Sequence, residues 1–287
     1  MPDTVWINGE YHARDSATIS VFDHGLLYGD GVFEGIRAYD GRIFRLEAHL
    51  RRLQDSAKAI ALPIPMTLDE LATACTETFR RSELRDAYFR VVVTRGIGDL
   101  GLNPMLCPSP TVIIIVATIR LFPPEKLREG VRLVTAATPV PHREALSPRV
   151  KSLNYLPHVM AKLEGLTAGA DDVLMLDPSG SVAEGSGQNL FVVTEGVVRT
   201  PPPSAGILRG VTRDVVLEIA AGLGIPVREE LLNRYDVYTA EEAFLTGTAS
   251  EVVPVRSLDG RLIGEALPGP VTARLLEGFQ ALVRAGN

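Results

Sequence analysis

Apolar and polar positions along the chain change period several times, and each change marks an element. Thr4–Ile7, the pair Asn8-Gly9 and the residues from Glu10 read as a strand, a tight turn and a return strand, because Asn-Gly readily takes the positive φ angles of a two-residue hairpin. Arg37–Tyr39, Asp40-Gly41 and Arg42–Phe44 repeat that pattern. From Leu46 to Ile60 the apolar residues Leu46, Leu50, Leu53, Ala57 and Ile60 fall three or four apart with charges between them. That is the period of an amphipathic helix, and Pro63 and Pro65 are expected to end it. Thr67 and Glu70 have the spacing of a capping box, which opens a second helix toward Arg81. Tyr88–Thr94 and Thr111–Ala117 are strand-like runs on either side of a glycine-bearing loop, Gly96–Asn103. Strands and helices therefore mix in the first half, an α+β arrangement.

The pair Pro123-Pro124 breaks the strand pattern within Arg120–Gly130. This divides the chain into an expected small N-terminal α/β domain (1–119), a connector (120–130) and a larger C-terminal domain (131–287). In the second part strands are expected at Val131–Thr135, Asp172–Leu176, Asn189–Val193, Val197–Thr200, around Val227 and at Ala243–Thr246. Helices are expected at Leu153–Thr167, from Gly210 to Gly222, near Thr239–Glu242 and from Pro270 to Arg284.

Composition narrows the possible partners. With 287 residues, 46% of them hydrophobic, the chain can bury enough surface for two domains. Its net charge of −6 comes from interspersed acids and bases, which favours a small polar metabolite over nucleic acid or an anionic membrane. Only Cys75 and Cys107 occur, without metal-ligand spacing, so neither a disulfide framework nor a metal site is expected. The longest apolar stretch, Val112–Ala117, is strand-sized, and the N-terminal residues lack a basic segment followed by an apolar run. A soluble, cytoplasmic protein is the expectation.

Three places could carry chemistry. Lys151 lies between Pro148 and the apolar run Ser152–Leu156, expected to be helical. A helix start and the neighbouring Arg149 would both disfavour the ammonium ion and leave the neutral amine that attacks an aldehyde; an ordinary surface lysine is the plainer alternative. Glu184 precedes the small-residue turn Gly185-Ser186-Gly187-Gln188 that leads into an apolar strand. Buried there, it needs a cationic or proton-donating partner such as a pyridinium, unless it is simply a turn glutamate. The segments Leu208–Thr212 and Thr246–Ser250 offer exposed amides and hydroxyls suited to a phosphate or carboxylate. No GxxxxGK[ST] motif is present, which disfavours a nucleotide as the ligand.

In order, these segments resemble the fold-type IV pyridoxal-phosphate enzymes, and among them the branched-chain amino acid aminotransferases. The resemblance runs through Tyr28–Arg37, His49–Leu53, Tyr88–Arg90, Gly98–Pro104, Lys151–Leu156, Glu184–Phe191, Gly210–Asp214 and Gly247–Ala249. It implies an α+β protein of two α/β domains, the larger C-terminal one a pseudo-barrel, that uses pyridoxal 5'-phosphate to move an amino group from Leu, Ile or Val to 2-oxoglutarate. By the same resemblance Lys151 is the Schiff-base lysine and proton shuttle, and Glu184 holds the pyridine nitrogen protonated. Arg52, Val211, Thr212 and Thr248 grip the phosphate, with Gly187 nearby, while Leu208 packs on the ring and Tyr155 donates to its phenolate oxygen.

For the substrate, the resemblance sets the α-carboxylate near Tyr88, Thr248 and Ala249. It lines the side-chain pocket with Phe33, Gly35 and Arg37 and with Tyr28 and Leu102 of the partner subunit, so a homodimer or higher homo-oligomer is implied. Arg90 would receive the distal carboxylate of glutamate. One departure stands out: many branched-chain enzymes have two glycines between the lysine and the Asn-Tyr pair, whereas Ser152-Leu153 stand here and the lysine-to-tyrosine spacing is one residue shorter. Lys-Ser-Leu-Asn also occurs in D-amino-acid aminotransferases, which remain an alternative with (R)-amine transaminases and aminodeoxychorismate lyase.

Overall fold

In a computed structural model, residues 4–119 and 121–286 are described; Arg120, in the expected connector, lies outside them. The described chain divides into two compact units, one of residues 4–119, 150–154 and 286, the other of 121–149 and 155–285.

The first unit holds strands β1 (Thr4–Ile7), β2 (Glu10–Ala13), β3 (Gly31–Tyr39), β4 (Arg42–Ile43), β5 (Ala87–Thr94) and β6 (Thr111–Ala117) and helices α1 (His24–Tyr28), α2 (Leu46–Ala59) and α3 (Leu68–Ser82). The strands form one six-stranded sheet, β2-β1-β6-β5-β3-β4, in which every pairing is antiparallel. Both expected hairpins form, with Asn8-Gly9 and Asp40-Gly41 at positive φ. The α3 capping box also forms: Thr67 accepts from the Glu70 amide, and Glu70 accepts from the Thr67 amide. Helix α2 stops earlier than the prolines require, because Ala61 turns left-handed right after Ile60. The core lies between sheet and helices: Val32 and Ile36 of β3, Phe89 and Val91 of β5 and Ile114 of β6 meet Leu50 and Leu53 of α2 and Leu71 and Phe79 of α3.

The second unit contains α4 (Pro124–Glu129), β7 (Val131–Thr135), α5 (Leu156–Thr167), β8 (Asp172–Leu174), β9 (Asn189–Thr194), β10 (Val197–Thr200), α6 (Val211–Gly222), β11 (Val227–Glu229), α7 (Arg234–Tyr238), β12 (Glu242–Gly247), β13 (Glu251–Leu258), β14 (Arg261–Leu262) and α8 (Pro270–Ala285). Its eight-stranded sheet runs β11-β10-β9-β12-β13-β7-β8, with β14 paired to β13. Parallel pairs (β10–β11, β13–β7, β7–β8) and antiparallel pairs are mixed.

The structure departs from the sequence expectations here. Helix α5 begins at Leu156 rather than Leu153, because residues 151–153 are extended. The helix expected near Thr239–Glu242 is α7, set earlier by an Asn233–Asp236 capping box. Strand β13, absent from the periodicity reading, is nearly all buried and therefore lacks polar alternation, and Pro254 within it is normally a sign against a central strand. Part of the expected connector is the helix α4.

Close approach tests this architecture at Gly96, where φ is +90° and a methyl group would collide with the Ser109 carbonyl. Gly41 also has positive φ, +81°, but opens to empty space. Gly96→Ala is expected to lower unfolding free energy by clearly more than Gly41→Ala, whose loss should be about 1 kcal/mol, as measured by chemical denaturation; equal losses would contradict the packing described.

Candidate active site

Strand β3 presents alternate residues to opposite faces of its sheet. Phe33, Gly35 and Arg37 share a face with Tyr88 and Arg90 of β5, which stand opposite Arg37 and Gly35 in the register. At Gly35 a Cβ would overlap the Tyr88 hydroxyl, so any larger residue there has to displace the Tyr88 side chain. The guanidinium of Arg90 lies 4.6 Å from the centre of the Phe33 ring and 5.7 Å from that of Tyr88, and its Nη2 donates to the Tyr88 hydroxyl at 3.4 Å. No carboxylate of the described residues lies within salt-bridge distance of Arg90. Burial raises the Tyr88 pKa against the opposing pull of Arg90, so the phenol keeps its proton and can donate it in a hydrogen bond.

Lys151 joins this face from a distant part of the chain. Its carbonyl accepts from the Phe33 amide (2.9 Å), its amide donates to Ser56 Oγ (3.1 Å), and Ser152 bridges to Val32. Its Nζ lies 4.6 Å from the centre of the Phe33 ring. Lys151 is thus held beside β3 by backbone hydrogen bonds next to the isolated Ser152–Val32 bridge, which corrects the expectation that it stands at a helix start; α5 opens only at Leu156.

On the opposite face of β3, Glu34 is fully buried and faces α2. Arg52 grips it twice, Nε to Oε1 at 2.6 Å and Nη2 to Oε2 at 2.8 Å, while His49 Nδ1 donates to Oε2 at 2.8 Å. Burial alone would raise the Glu34 pKa, but Arg52 and His49 outweigh it and hold the carboxyl far below its ordinary value. Burial pushes the His49 pKa down against the pull of Glu34, and with Glu34 ionised it is Nδ1 of the ring that donates.

The second unit offers a different set. Glu184 is buried; its Oε2 accepts from the Leu208 amide (3.0 Å) and Asn189 Nδ2 (3.2 Å), and its Oε1 lies 3.5 Å from His158 Nε2. The His158 ring stacks on Tyr155 with centroids 4.5 Å apart. Helix α6 starts at Val211 behind Gly210, an N-cap with no side-chain hydrogen bond, so no side chain caps its first-turn amides, the kind of helix end that can take an anion; Val211 and Thr212 are buried there. Gly210 has no room for a side chain because Asn189 Oδ1 occupies that space. Thr248 and Ala249 lie in the turn after β12, where Gly247 packs on Ser250 and Gln188; Gly187 is exposed in the turn before β9.

The expected residues therefore gather in two groups. Phe33, Gly35, Arg37, Tyr88, Arg90 and Lys151 share one region of the first unit, with Arg52 on α2. Tyr155, Glu184, Leu208, Val211 and Thr212 belong to the second. Tyr28 and Leu102 stand apart from that sheet face: Tyr28 donates to the Leu100 carbonyl (2.5 Å), and Leu102, 79% exposed, lies on the loop after β5. Sequence reasoning does not single out Glu34, His49, Ser56, Asn189 or His158. The available signal for the first is a lone acid on an apolar strand face, and for the second a histidine one turn before Arg52.

Residues 31–258 match the family model described as amino-transferase class IV. A Methanocaldococcus jannaschii relative, provisionally named a branched-chain-amino-acid aminotransferase, is 49% identical over 276 residues, 96% of this chain and 95% of its own. The crystal structure of Escherichia coli branched-chain amino acid aminotransferase superposes with a TM-score of 0.95 at 37% identity, covering 99% of this chain and 95% of that one. The T.th. branched-chain amino acid aminotransferase with pyridoxamine 5'-phosphate gives 0.95 at 38% identity, over 100% and 96% of the two chains. The same T.th. protein has been crystallised with N-(5'-phosphopyridoxyl)-L-glutamate and with 4-methylvaleric acid. With a family model spanning most of its length and relatives of this similarity end to end, the chain belongs to the class IV aminotransferases, is an enzyme, and has the fold-type IV architecture.

Proposed function

We propose that this enzyme moves an amino group from a branched-chain L-amino acid (Leu, Ile or Val) to 2-oxoglutarate, using pyridoxal 5'-phosphate held by Lys151. The residues suit that cofactor. Glu184 is buried with neutral donors on one oxygen, and the uncapped α6 N-terminus and Arg52 are both anion-binding groups. When bound, pyridoxal phosphate supplies an aldehyde for amine exchange and a protonated ring that draws electrons from the substrate α-carbon. Lys151 holds the cofactor and carries the proton to and from that carbon. Glu184 keeps a proton on the ring nitrogen. Arg52, the Val211 and Thr212 amides and Thr248 would hold the phosphate, with Gly187 close by, and Leu208 and Tyr155 would hold the ring.

The substrate preference rests on one observation: Arg90 is held over two aromatic rings with no carboxylate partner among the described residues. Such a cation receives the distal carboxylate of glutamate, while Phe33 and the aromatic surroundings accept an isobutyl group by burial alone. Tyr88, Thr248 and Ala249 bind the α-carboxylate, with Gly35 and Arg37 on the same wall as Phe33. Crystals of the T.th. relative with a glutamate derivative and with a branched apolar acid support this dual reading. Tyr28 and Leu102 of the partner subunit complete the pocket in a homodimer.

Lys151→Ala is expected to cut turnover of leucine with 2-oxoglutarate by about 1,000-fold or more while leaving the unfolding midpoint unchanged; retained turnover would remove the central assignment. A particle smaller than a dimer that is fully active, by light scattering at assay concentration, would contradict the shared pocket. Arg90→Ala should raise the KM for glutamate and 2-oxoglutarate by about tenfold or more and alter that for leucine little, since only the acidic pair loses a charge-assisted bond. Each half-reaction is to be followed separately, with one amino acid alone. Equal loss for both would mean that Arg90 serves the α-carboxylate or the scaffold.

A further inference from the structure

We propose that Glu34, braced by His49, is a positioning residue that holds the Arg52 guanidinium as a preformed seat for the cofactor phosphate. The proposal rests on the reading of Arg52 as a phosphate ligand.

Arginine has a flexible stem, and an anion site built on it alone would have to freeze that stem on every binding event. Here two of its N–H groups are already committed: Nε to Glu34 Oε1 at 2.6 Å and Nη2 to Oε2 at 2.8 Å, the bidentate geometry that fixes the guanidinium plane as well as its position. The carboxylate is itself immobile. Its Oε2 also accepts from His49 Nδ1 at 2.8 Å and from the Gly35 amide at 3.2 Å, and no part of its side chain reaches solvent. Glu34 belongs to the strand and His49 and Arg52 to the helix, so strand, helix and guanidinium are locked by one carboxylate.

Two effects of Glu34 oppose each other. Its negative charge weakens the pull of Arg52 on a phosphate dianion, whereas its geometry removes the ordering that binding would otherwise require. Full burial and double contact make the geometric effect the larger. The alternatives have different signatures. If Glu34 only offsets charge, neutralising it tightens phosphate binding; if it only supports the fold, its loss weakens every ligand equally.

The test measures binding, by calorimetry on the full-length protein stripped of cofactor, of pyridoxal 5'-phosphate and of pyridoxal, which lacks the phosphate. Glu34→Gln is expected to raise the Kd for the phosphorylated ligand by about tenfold or more, in the range seen when a residue that orients a ligand-binding group is lost, and to change that for pyridoxal less than about twofold. Glu34→Asp, which keeps the charge but shortens the reach, should show the same selective loss, and serves if the glutamine variant does not fold. In the Glu34→Gln/Arg52→Gln double variant the loss should not exceed that of Arg52→Gln alone, because Glu34 acts through Arg52. Unchanged or tighter binding of pyridoxal 5'-phosphate in the Glu34 variants, or equal losses for the two ligands, overturns the proposal. If Arg52→Gln itself leaves the preference for the phosphorylated ligand intact, the assignment of Arg52 as phosphate ligand fails instead.

Discussion

The two-residue alternation of β3 is the constraint on which the first unit depends. Along Gly31–Tyr39 the residues Val32, Glu34, Ile36 and Ala38 face the helices, while Phe33, Gly35 and Arg37 share the other face with Tyr88 and Arg90, and eight paired positions with β5 hold this register. A slip of one residue would exchange the two sets. It would bring Phe33 against Arg52 and strand Glu34 on the face of Tyr88 and Arg90. The ends of the strand oppose such a slip. Asp40-Gly41 closes the hairpin at one end, and at the other Arg95 pairs with Asp30 at 2.9 Å and donates to the carbonyls of Ile60 and Ala61. Glu34 adds a chemical restriction, since a buried carboxylate separated from its arginine costs about 3 kcal/mol or more. Only one register satisfies it.

Local rules explain why some of this is legible in the sequence. The Asn-Gly and Asp-Gly turns, the Thr67–Glu70 box and the helix period of Leu46–Ile60 each depend on residues a few positions apart, and all appear where expected. Strand β13 escapes a periodicity reading because burial on both faces erases alternation, and its only distinguishing mark, Pro254, argues against it. The setting of Lys151 is hidden for a related reason: Ser152-Leu153-Asn154 has helical-looking content, but the backbone of residues 151–153 pairs with Gly31–Phe33, more than a hundred residues earlier. No window of sequence contains that pairing. Likewise, Glu34 and His49 lie inside segments that carry the family resemblance, yet their contact spans a strand, a turn and a helix start.

Two arginines of the first unit show how surroundings separate roles that residue type leaves open. Arg52 is bound to a carboxylate through two hydrogen bonds, so its position is set before any ligand arrives. Arg90 lies over aromatic rings and donates to a phenol. The first arrangement suits an anion that is always present in one pose, such as a cofactor phosphate. The second suits an anion that is present in one half of a reaction and replaced by an alkyl group in the other, because ring faces stabilise the cation without a counter-ion that a carboxylate would have to displace. A fixed acid beside Arg90 would compete with glutamate and would gain nothing for leucine.

The two buried glutamates divide in the same way. Glu34 faces a full guanidinium charge, which holds its pKa far down and leaves it no tendency to attract a further proton donor. Glu184 receives its hydrogen bonds from a backbone amide and an amide side chain, both uncharged, and the nearest basic group is His158, 3.5 Å from Oε1. His158 Nδ1 has no hydrogen-bond partner among the described residues. A buried carboxylate with neutral support on one oxygen and only a polarisable ring near the other gains most from a new cationic donor. A protonated pyridine nitrogen is a donor of that kind. Exchanging the surroundings of the two acids would defeat both proposed roles: Glu184 paired to an arginine would no longer favour a ring proton, and Glu34 without one could not hold Arg52 in place.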